Sequence, residues 1–409
     1  MPIHQQRGVR LEDGIAGAAD GYSPDRLEVS VVLPCLNEAE TVGICVEKAL
    51  ECLDTLQVAG EVLVVDNGST DDSADVARRA GARVISEASR GYGNALRRGI
   101  GEASGKFIII ADADNSYDLS DLERFVTALR QGADLVMGSR RLGTIENGAM
   151  PWLNRRIGNP ALSGILNLLF KSGVTDAHCG MRGLSNEAFA RMKISSSGME
   201  FASEMVVKAA LAKMQIVEVP VTLRADGRSS HGPHLRPLRD GWRHLRFMLL
   251  LSPTYVFLVP AALLILLGIA AMAALGWGPI TIGGVSFDFH YMILGSLFTI
   301  LGFQILMTGL FATTYSHAIR LGPNDTTWRF IRAWFSLERG IIAGTILFLA
   351  GFVVDARVLA GWLQYGMGAL NAIRPATLAS TLMIIGAQTI FSSFFLSMLL
   401  MLPGDQAVG

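Results

Sequence analysis

The chain has 409 residues, and 35 basic against 36 acidic side chains give a formal charge of −1; this excludes a general nucleic-acid binder, which carries a strong basic excess. Half of the residues are hydrophobic and 17% are charged, with a mean hydropathy of +0.38. A soluble domain is about a quarter charged, so a wholly soluble protein is excluded as well.

In chain order, residues 1–27 are polar and small, lack the apolar stretch of a signal peptide and read as a tail. Residues 28–230 read as a soluble α/β domain of ordinary charge. Its strand candidates are Val29 to Leu33, Val62 to Val65, Arg83 to Ser86, Phe107 to Ala111, Leu135 to Met137 and Val217 to Leu223. Helical spacing fills Glu40 to Leu53, Asp72 to Ala80, Tyr92 to Ala103 and Leu119 to Arg130. Near-continuous apolar strands between helices predict a mostly parallel, Rossmann-like sheet covered on both faces. Ligands of such sheets bind at the carboxyl ends of the strands. The residues just after each apolar run are therefore the informative ones.

Those positions carry Pro34-Cys-Leu-Asn-Glu38, Asp66-Asn-Gly-Ser69, Asp112-Ala-Asp114-Asn115 and Gly138-Ser-Arg-Arg141. Asp112 and Asp114 leave a strand two positions apart, a spacing that can hold a divalent cation such as Mg²⁺ or Mn²⁺ directly or through water. Such an ion neutralises a leaving diphosphate. An isolated Asp-x-Asp is a common accident of composition; its place after Phe107 to Ala111 and before a helix gives it weight. No P-loop is present, and Leu96 stands where a dinucleotide fingerprint beginning at Gly91 needs its third glycine. The four cysteines lie in this half without paired-ligand spacing, which indicates neither a disulfide frame nor a zinc site.

Beyond Lys213 there is no lysine, and from Phe247 to Ile319 there is no Lys or Arg and one acidic residue, Asp288. Residues 231–250 form a basic juxtamembrane segment; from Arg224 to Arg246 there are six arginines, two aspartates, three histidines and Trp242. Residues 251–403 read as a membrane domain of about four helices, since a span needs roughly 20 apolar residues. The spans are expected near 254–275, 291–312, 341–363 and 377–402, followed by a tail at 404–409. The third meets Asp355 and Arg357, which fit a position near the far interface. Arginines cluster before the first span and between the second and third, while the loop 276–290 has none. By the positive-inside rule both termini and the soluble domain face the cytoplasm.

The order Pro34-x-x-Asn37-Glu38, Val64-Val65-Asp66, Asp112-Ala-Asp114 and Gly138-Ser-Arg140 resembles an inverting family 2 glycosyltransferase of the GT-A fold. More narrowly it is similar to the dolichyl- or polyprenyl-phosphate hexose synthases, some of which carry membrane helices. The resemblance implies that Pro34, Leu36, Glu38 and Asp66 form the nucleoside pocket. Asp112, Ala113 and Asp114 would contact the diphosphate, its Mg²⁺ or Mn²⁺ and the sugar. Arg140 matches an arginine reading the acceptor phosphate, and Arg155 or Arg156 falls where a second is expected. Asp176-Ala-His-Cys-Gly180-Met-Arg182 matches a branch pattern that makes Asp176 a candidate for orienting the acceptor or stabilising charge on the sugar, with Arg182 beside the phosphate. Phe201-x-x-Glu204 matches a following acidic helix. Arg224-x-x-Gly227-x-Ser229 matches a late loop over the diphosphate; the lysine expected next is Ser230, and Arg228 is the candidate substitute. The implied activity moves one hexose from a nucleotide sugar to a polyprenyl phosphate at the membrane. A transferase acting on another lipid or a growing polysaccharide, and a non-catalytic scaffold or transporter, are the alternatives; the Q-x-x-R-W motif usual in processive synthases does not occur.

Overall fold

Short Val- and Ile-rich runs ending in Asp, Asn or Gly become the strands of one seven-stranded sheet in the computed structural model. The model describes residues 27–228, 237–318, 326–364, 367 and 372–401. Residues 1–26, Ser229, Ser230, His231, His234, Arg236, Arg320, Leu402 and the tail 404–409 lie outside the described residues. The strands are β1 (Val29–Cys35), β2 (Gly60–Asp66), β3 (Arg83–Ser86), β4 (Phe107–Ile110), β5 (Leu135–Ile145), β6 (Arg182–Ser185) and β7 (Ile216–Leu223). The helices of this region are α1 (Val42–Thr55), α2 (Ser73–Arg79), α3 (Tyr92–Glu102), α4 (Leu122–Arg130), α5 (Asn159–Phe170), α6 (Asn186–Met192) and α7 (Phe201–Leu211).

The strand order is β3-β2-β1-β4-β6-β5-β7, parallel except for β6, which runs antiparallel between β4 and β5. This is the mostly parallel α/β sheet that the sequence predicts. β6 is an addition to it: Arg182-Gly-Leu-Ser185 has no apolar run to announce a strand. Alternation of side chains along the strands splits the core in two. Val31, Leu33, Val64 and Ile109 pack with α1 and α4, whereas Val32, Leu63, Val65, Ile108 and Ile110 pack with α3, α5 and α7. Gly91 opens α3 at a φ of 141°, and a side chain there would strike the backbone of Ser197.

The remaining helices are α8 (Pro237–Leu250), α9 (Val259–Leu275), α10 (Phe289–Ala318), α11 (Thr326–Trp334), α12 (Leu337–Gln364) and α13 (Ile373–Leu400), with a hairpin of β8 (Ile280–Ile282) and β9 (Val285–Phe287) between α9 and α10. Among the described residues, four helical stretches are long and apolar enough to cross a membrane: Thr254–Leu275, Phe289–His317, Leu337–Gln364 and Ile373–Leu400. The last three start before the apolar runs that announce them, because helical hydrogen bonding continues through flanking polar residues. They pack through small residues that let backbones approach: Gly268 lies against Gly295 and Thr299, and Gly344 against Gly386. Asp355 is exposed and lies roughly 27 Å along α12 at 1.5 Å per residue, consistent with an interfacial position. At the hairpin end, Arg374 of α13 pairs with Asp288 beside α10. An apolar cavity of about 360 Å³ lies there between α9, α10 and the hairpin, at the opposite end of these helices from the connection to the sheet.

Candidate active site

Because β2, β1 and β4 are adjacent, the residues following them converge at one edge of the sheet. Cys35 stands opposite Asp66, which places Pro34, Leu36 and Glu38 beside the end of β2. The turn after β1 is fixed by Asn37, at a φ of 57°, whose side-chain oxygen accepts from the Thr70 N–H at 2.8 Å. The Glu38 N–H donates to Ser73 Oγ at 2.7 Å, and Asp66 Oδ1 accepts from the Ser69 N–H at 3.0 Å. Asn67, to which sequence reasoning gives no role, accepts from the Gly91 N–H at 2.7 Å and donates to the carbonyls of Glu87 and Ser89. It thereby ties β2 to the start of α3.

Asp112 and Asp114 follow β4 directly. The Tyr92 hydroxyl donates to Asp112 Oδ1 at 3.3 Å, and Gly180 lies so close that a Cβ there would collide with the carboxylate. Burial, and then the charge of Asp114, push the Asp112 carboxyl up to about 7, against the opposing pull of Tyr92, Arg140 and Arg182. Two acids so placed favour a cation between them. Asp114 Oδ1 accepts from the Ser116 N–H at 3.0 Å and from its hydroxyl at 2.5 Å. Its Oδ2 accepts from Arg228 at 3.1 Å.

Arg228 brings a positive charge to Asp114, though not to Asp112. Only 7% exposed, its guanidinium reaches Glu38 at 2.8 Å, Asp114 at 3.1 Å and Asp226 at 3.1 Å, while its buried Nε makes no hydrogen bond among the described residues. Glu38 and Asp114, from two different strand ends, are thus drawn to one positive charge. Among the described residues no cluster of three His, Cys, Asp or Glu is arranged to hold a metal by itself. The donor set suits an ion that takes one or two carboxylates and completes its sphere with phosphate oxygens and water, as Mg²⁺ does. Arg224 is engaged elsewhere, with Asp118 at 2.6 Å and Glu146 at 3.5 Å.

On the other side of the same edge, Arg140 at the turn of β5 forms a bidentate pair with Asp176, at 2.6 and 2.7 Å, and its N–H donates to the same carboxylate at 3.1 Å. Burial alone would raise the Asp176 carboxyl; the Arg140 hydrogen bonds and charge outweigh it and hold the group below the usual carboxylate range. Glu218, in mid-strand on β7, accepts from the Thr175 N–H at 2.9 Å, the Asp176 N–H at 3.1 Å and the Thr175 hydroxyl at 3.0 Å. A carboxylate flanked by Val217 and Val219 in an apolar strand was the available sequence signal for it. Arg140, Arg141, Arg155, Asn159, Thr175 and Asp176 line a small cleft.

The expected acceptor arginines are therefore not all brought together. Arg140 and Arg155 meet in the cleft with Arg141, which sequence reasoning leaves without a role. Arg156 is exposed and does not line it. Arg182 is 3% exposed, and its guanidinium donates to the carbonyls of Cys179, Ala177 and Ala202. It braces the loop instead of facing a phosphate, because the antiparallel β6 carries it into the core. Asp176, also 3% exposed, positions Arg140, which engages both of its carboxylate oxygens. Glu204 accepts from the Ser195 and Ser196 N–H groups and pairs with Lys208 at 2.7 Å, a bracing role.

Two family models match the chain: "Glycosyl transferase family 2" over residues 30–192 and "Glycosyltransferase family 2 C-terminal transmembrane region" over residues 310–400. The chain is 39% identical over 375 residues to the low-salt glycan biosynthesis hexosyltransferase Agl6 of Haloferax volcanii, covering 91% of this chain and 89% of that one. The chain belongs to glycosyltransferase family 2. This glycosyltransferase is also 29% identical over 200 residues to the dolichyl-phosphate hexose transferase of the same organism, covering 48% of this chain and 83% of that protein. Among solved structures it is similar to glucosyl-3-phosphoglycerate synthase from Mycobacterium tuberculosis, in complex with Mn²⁺, UDP-glucose and phosphoglyceric acid. That match has a TM-score of 0.45 and 22% identity over 57% of this chain and 84% of that one. The sheet with its sequence of motifs, followed by four apolar helices, is the membrane-bound GT-A arrangement that the resemblance implies.

Proposed function

We propose that this glycosyltransferase moves one hexose, with inversion, from a nucleotide sugar of the UDP-glucose or GDP-mannose type to a polyprenyl phosphate at the cytoplasmic face of the membrane. The observation that carries the reading is the juxtaposition, at one sheet edge, of the Asp112–Asp114 pair and the arginine cleft of Arg140, Arg141 and Arg155. One half suits a diphosphate with its cation; the other suits a phosphate anion. The names of the two Haloferax relatives, a hexosyltransferase and a dolichyl-phosphate hexose transferase, agree with it.

In this reading Pro34, Leu36, Glu38 and Asp66 cradle the nucleoside, and Asp112, Ala113 and Asp114 face the diphosphate. Asp112 and Asp114 would hold Mg²⁺ or Mn²⁺, which when bound would neutralise charge on the leaving diphosphate. Arg228 is displaced from Glu38 and Asp114 as the donor enters and turns to the phosphates, with Arg224 holding the base of its loop. A phosphate oxygen of the acceptor attacks the anomeric carbon as the bond to the donor diphosphate breaks, releasing a nucleoside diphosphate. A phosphate monoester has a second pKa near ~6 and is close to a dianion at pH 7. No general base is needed, which fits the engagement of Asp176. Arg140, fixed by Asp176, and Arg155 receive the attacking phosphate.

The arginine pattern supports a cytoplasmic catalytic domain and termini: Arg239, Arg243 and Arg246 precede the first span, Arg329 and Arg332 lie between the second and third, and Arg339 stands in the first turn of the third. Exposed Trp152 and Trp242 (68% and 58%) suit contact with a membrane surface. Membranes containing the protein, given radiolabelled nucleotide sugars and undecaprenyl phosphate, should form a labelled lipid. Absence of that product across the common UDP- and GDP-hexoses overturns the reading.

A further inference from the structure

The loop 176–182 touches both halves of the site. Asp176 fixes Arg140, Gly180 lies against Asp112, and the Gly180 N–H donates to the Tyr117 hydroxyl at 2.9 Å. Between these points stands His178, which the mechanism above does not use. Its Nε2 lies 3.2 Å from the hydroxyl of Ser203 on α7, and that hydroxyl lies 2.9 Å from Nδ1 of His244 on α8. The two imidazoles also meet edge to face, with centroids 4.6 Å apart. A chain of three polar side chains thus runs from the active-site loop to the helix that precedes the first membrane span.

Its position on α8 is not incidental. Asp240, His244 and Met248, four residues apart, form the buried stripe of that helix, while Trp242, Arg243 and Arg246 face outward. The helix ends at Leu250, and the first apolar span begins at Thr254. A shift of the membrane domain therefore reaches His244 through only a few residues of backbone.

Proton accounting defines the chain further. Ser203 has one hydroxyl proton and two lone pairs; in an unbroken chain it donates to one imidazole and accepts from the other. The buried Nδ1 of His178 makes no hydrogen bond among the described residues. A buried N–H without an acceptor costs more than a lone pair without a donor, so that atom is the bare nitrogen. His178 then donates from Nε2 to Ser203, and Ser203 donates to His244 Nδ1. Both imidazoles are neutral and the direction of the chain is single-valued, which makes it a strut of defined geometry.

We propose that His178, Ser203 and His244 are positioning residues that register the juxtamembrane helix against the loop 176–182, so that the seating of α8 sets how Arg140 is presented to the acceptor phosphate. The proposal rests on the acceptor reading above for its kinetic consequence, but not for its structural one.

The test uses the full-length protein in lipid nanodiscs with His244→Ala, His244→Asn and Ser203→Ala. Asn keeps an amide where Nδ1 stands. His244→Ala and Ser203→Ala should each raise KM for undecaprenyl phosphate roughly tenfold, the scale of one lost buried hydrogen bond, with KM for the nucleotide sugar unchanged. Amide hydrogen exchange over 176–182 should quicken in both, and His244→Asn should restore both properties. Equal rises in the two KM values, or unaltered exchange over 176–182 together with a lowered Tm, would overturn the proposal. Wild-type protein that forms no lipid-linked sugar would instead sink the functional reading, and the exchange comparison would still decide the strut.

Discussion

The two halves of the sheet edge hold their charges in opposite ways. On the proposed donor side, Asp112 and Asp114 stand close together, and Asp114 is balanced by Arg228 on a loop some hundred residues later, which also reaches Glu38. On the acceptor side, Arg140 is bound within its own layer by Asp176, and Asp176 is in turn set by the loop that Glu218 clamps. The first arrangement is one that a competing cation can replace; the second is pre-organised. Donor binding on this view remodels its site, whereas acceptor binding fills one already built.

The strongest way to break that contrast is at the carboxylate pair. Asp114→Asn should lower kcat by roughly 10³-fold, the scale of losing metal-assisted charge stabilisation, with thermal stability little changed; unaltered turnover in the radiolabelled-lipid assay would remove the metal from the donor side. Next comes the locked pair. Asp176→Asn leaves a largely buried arginine half-satisfied and should cost about 2–3 kcal/mol of stability by thermal denaturation. Its kcat should fall less than tenfold, below the 10²–10⁴ expected for loss of a general base, while KM for the acceptor rises. A kcat loss in that larger range would return Asp176 to catalysis.

The exchangeable side is sharpened by Arg228→Gln, which removes the resident cation. Mn²⁺ binding followed by electron paramagnetic resonance should strengthen several-fold while KM for the nucleotide sugar rises; weaker Mn²⁺ binding would show that Arg228 organises the carboxylates without competing for them. The smallest effect concerns acid. Burial, and then the charge of Arg182, hold His244 at about 4 against an ordinary 6.5, with Asp240 and Glu200 pulling upward and Arg243 downward; His178 faces it across Ser203. A histidine depressed in the folded state contributes stability above pH 6.5 that is lost as the pH falls toward 4. The whole loss is at most about 3 kcal/mol at 1.36 kcal/mol per unit, and His244→Asn should flatten the fall in Tm across that window.

The parts of this molecule that were legible in the sequence are those whose chemistry forces a local pattern. Apolar runs ending in Asp or Asn mark β1, β2 and β4, and the Asp112-Ala-Asp114 spacing marks the donor side, because both depend on neighbours in the chain. Three of the membrane helices were equally plain, being a matter of composition over length; the remaining one, the third span, was fainter because Asp355 and Arg357 interrupt its apolar run. Arg182 was misread for a long-range reason: as a Gly-x-Arg motif it resembles a phosphate reader, but pairing of β6 with both β4 and β5 draws it inward, where only carbonyls await it. Glu218 and the Ser203–His244 contact were unread because each joins residues about 40 apart: a lone glutamate in the apolar run of β7 marks a half-buried carboxylate without showing its partner, and Ser203 and His244 leave no trace in either segment alone. Arg141 lay in a quoted motif, and only the fold separates its role from that of Arg156.

The arginine cleft has a consequence for what leaves it. Arg140, Arg141 and Arg155 bring three positive charges and Asp176 one negative, a surplus of two. On the proposed reaction, the incoming monoester is close to a dianion, whereas the glycosylated lipid is a phosphodiester with a single charge. The cleft matches the first and over-compensates the second. Turnover itself would then weaken the hold on the product, and fresh acceptor would displace it without any lid having to open.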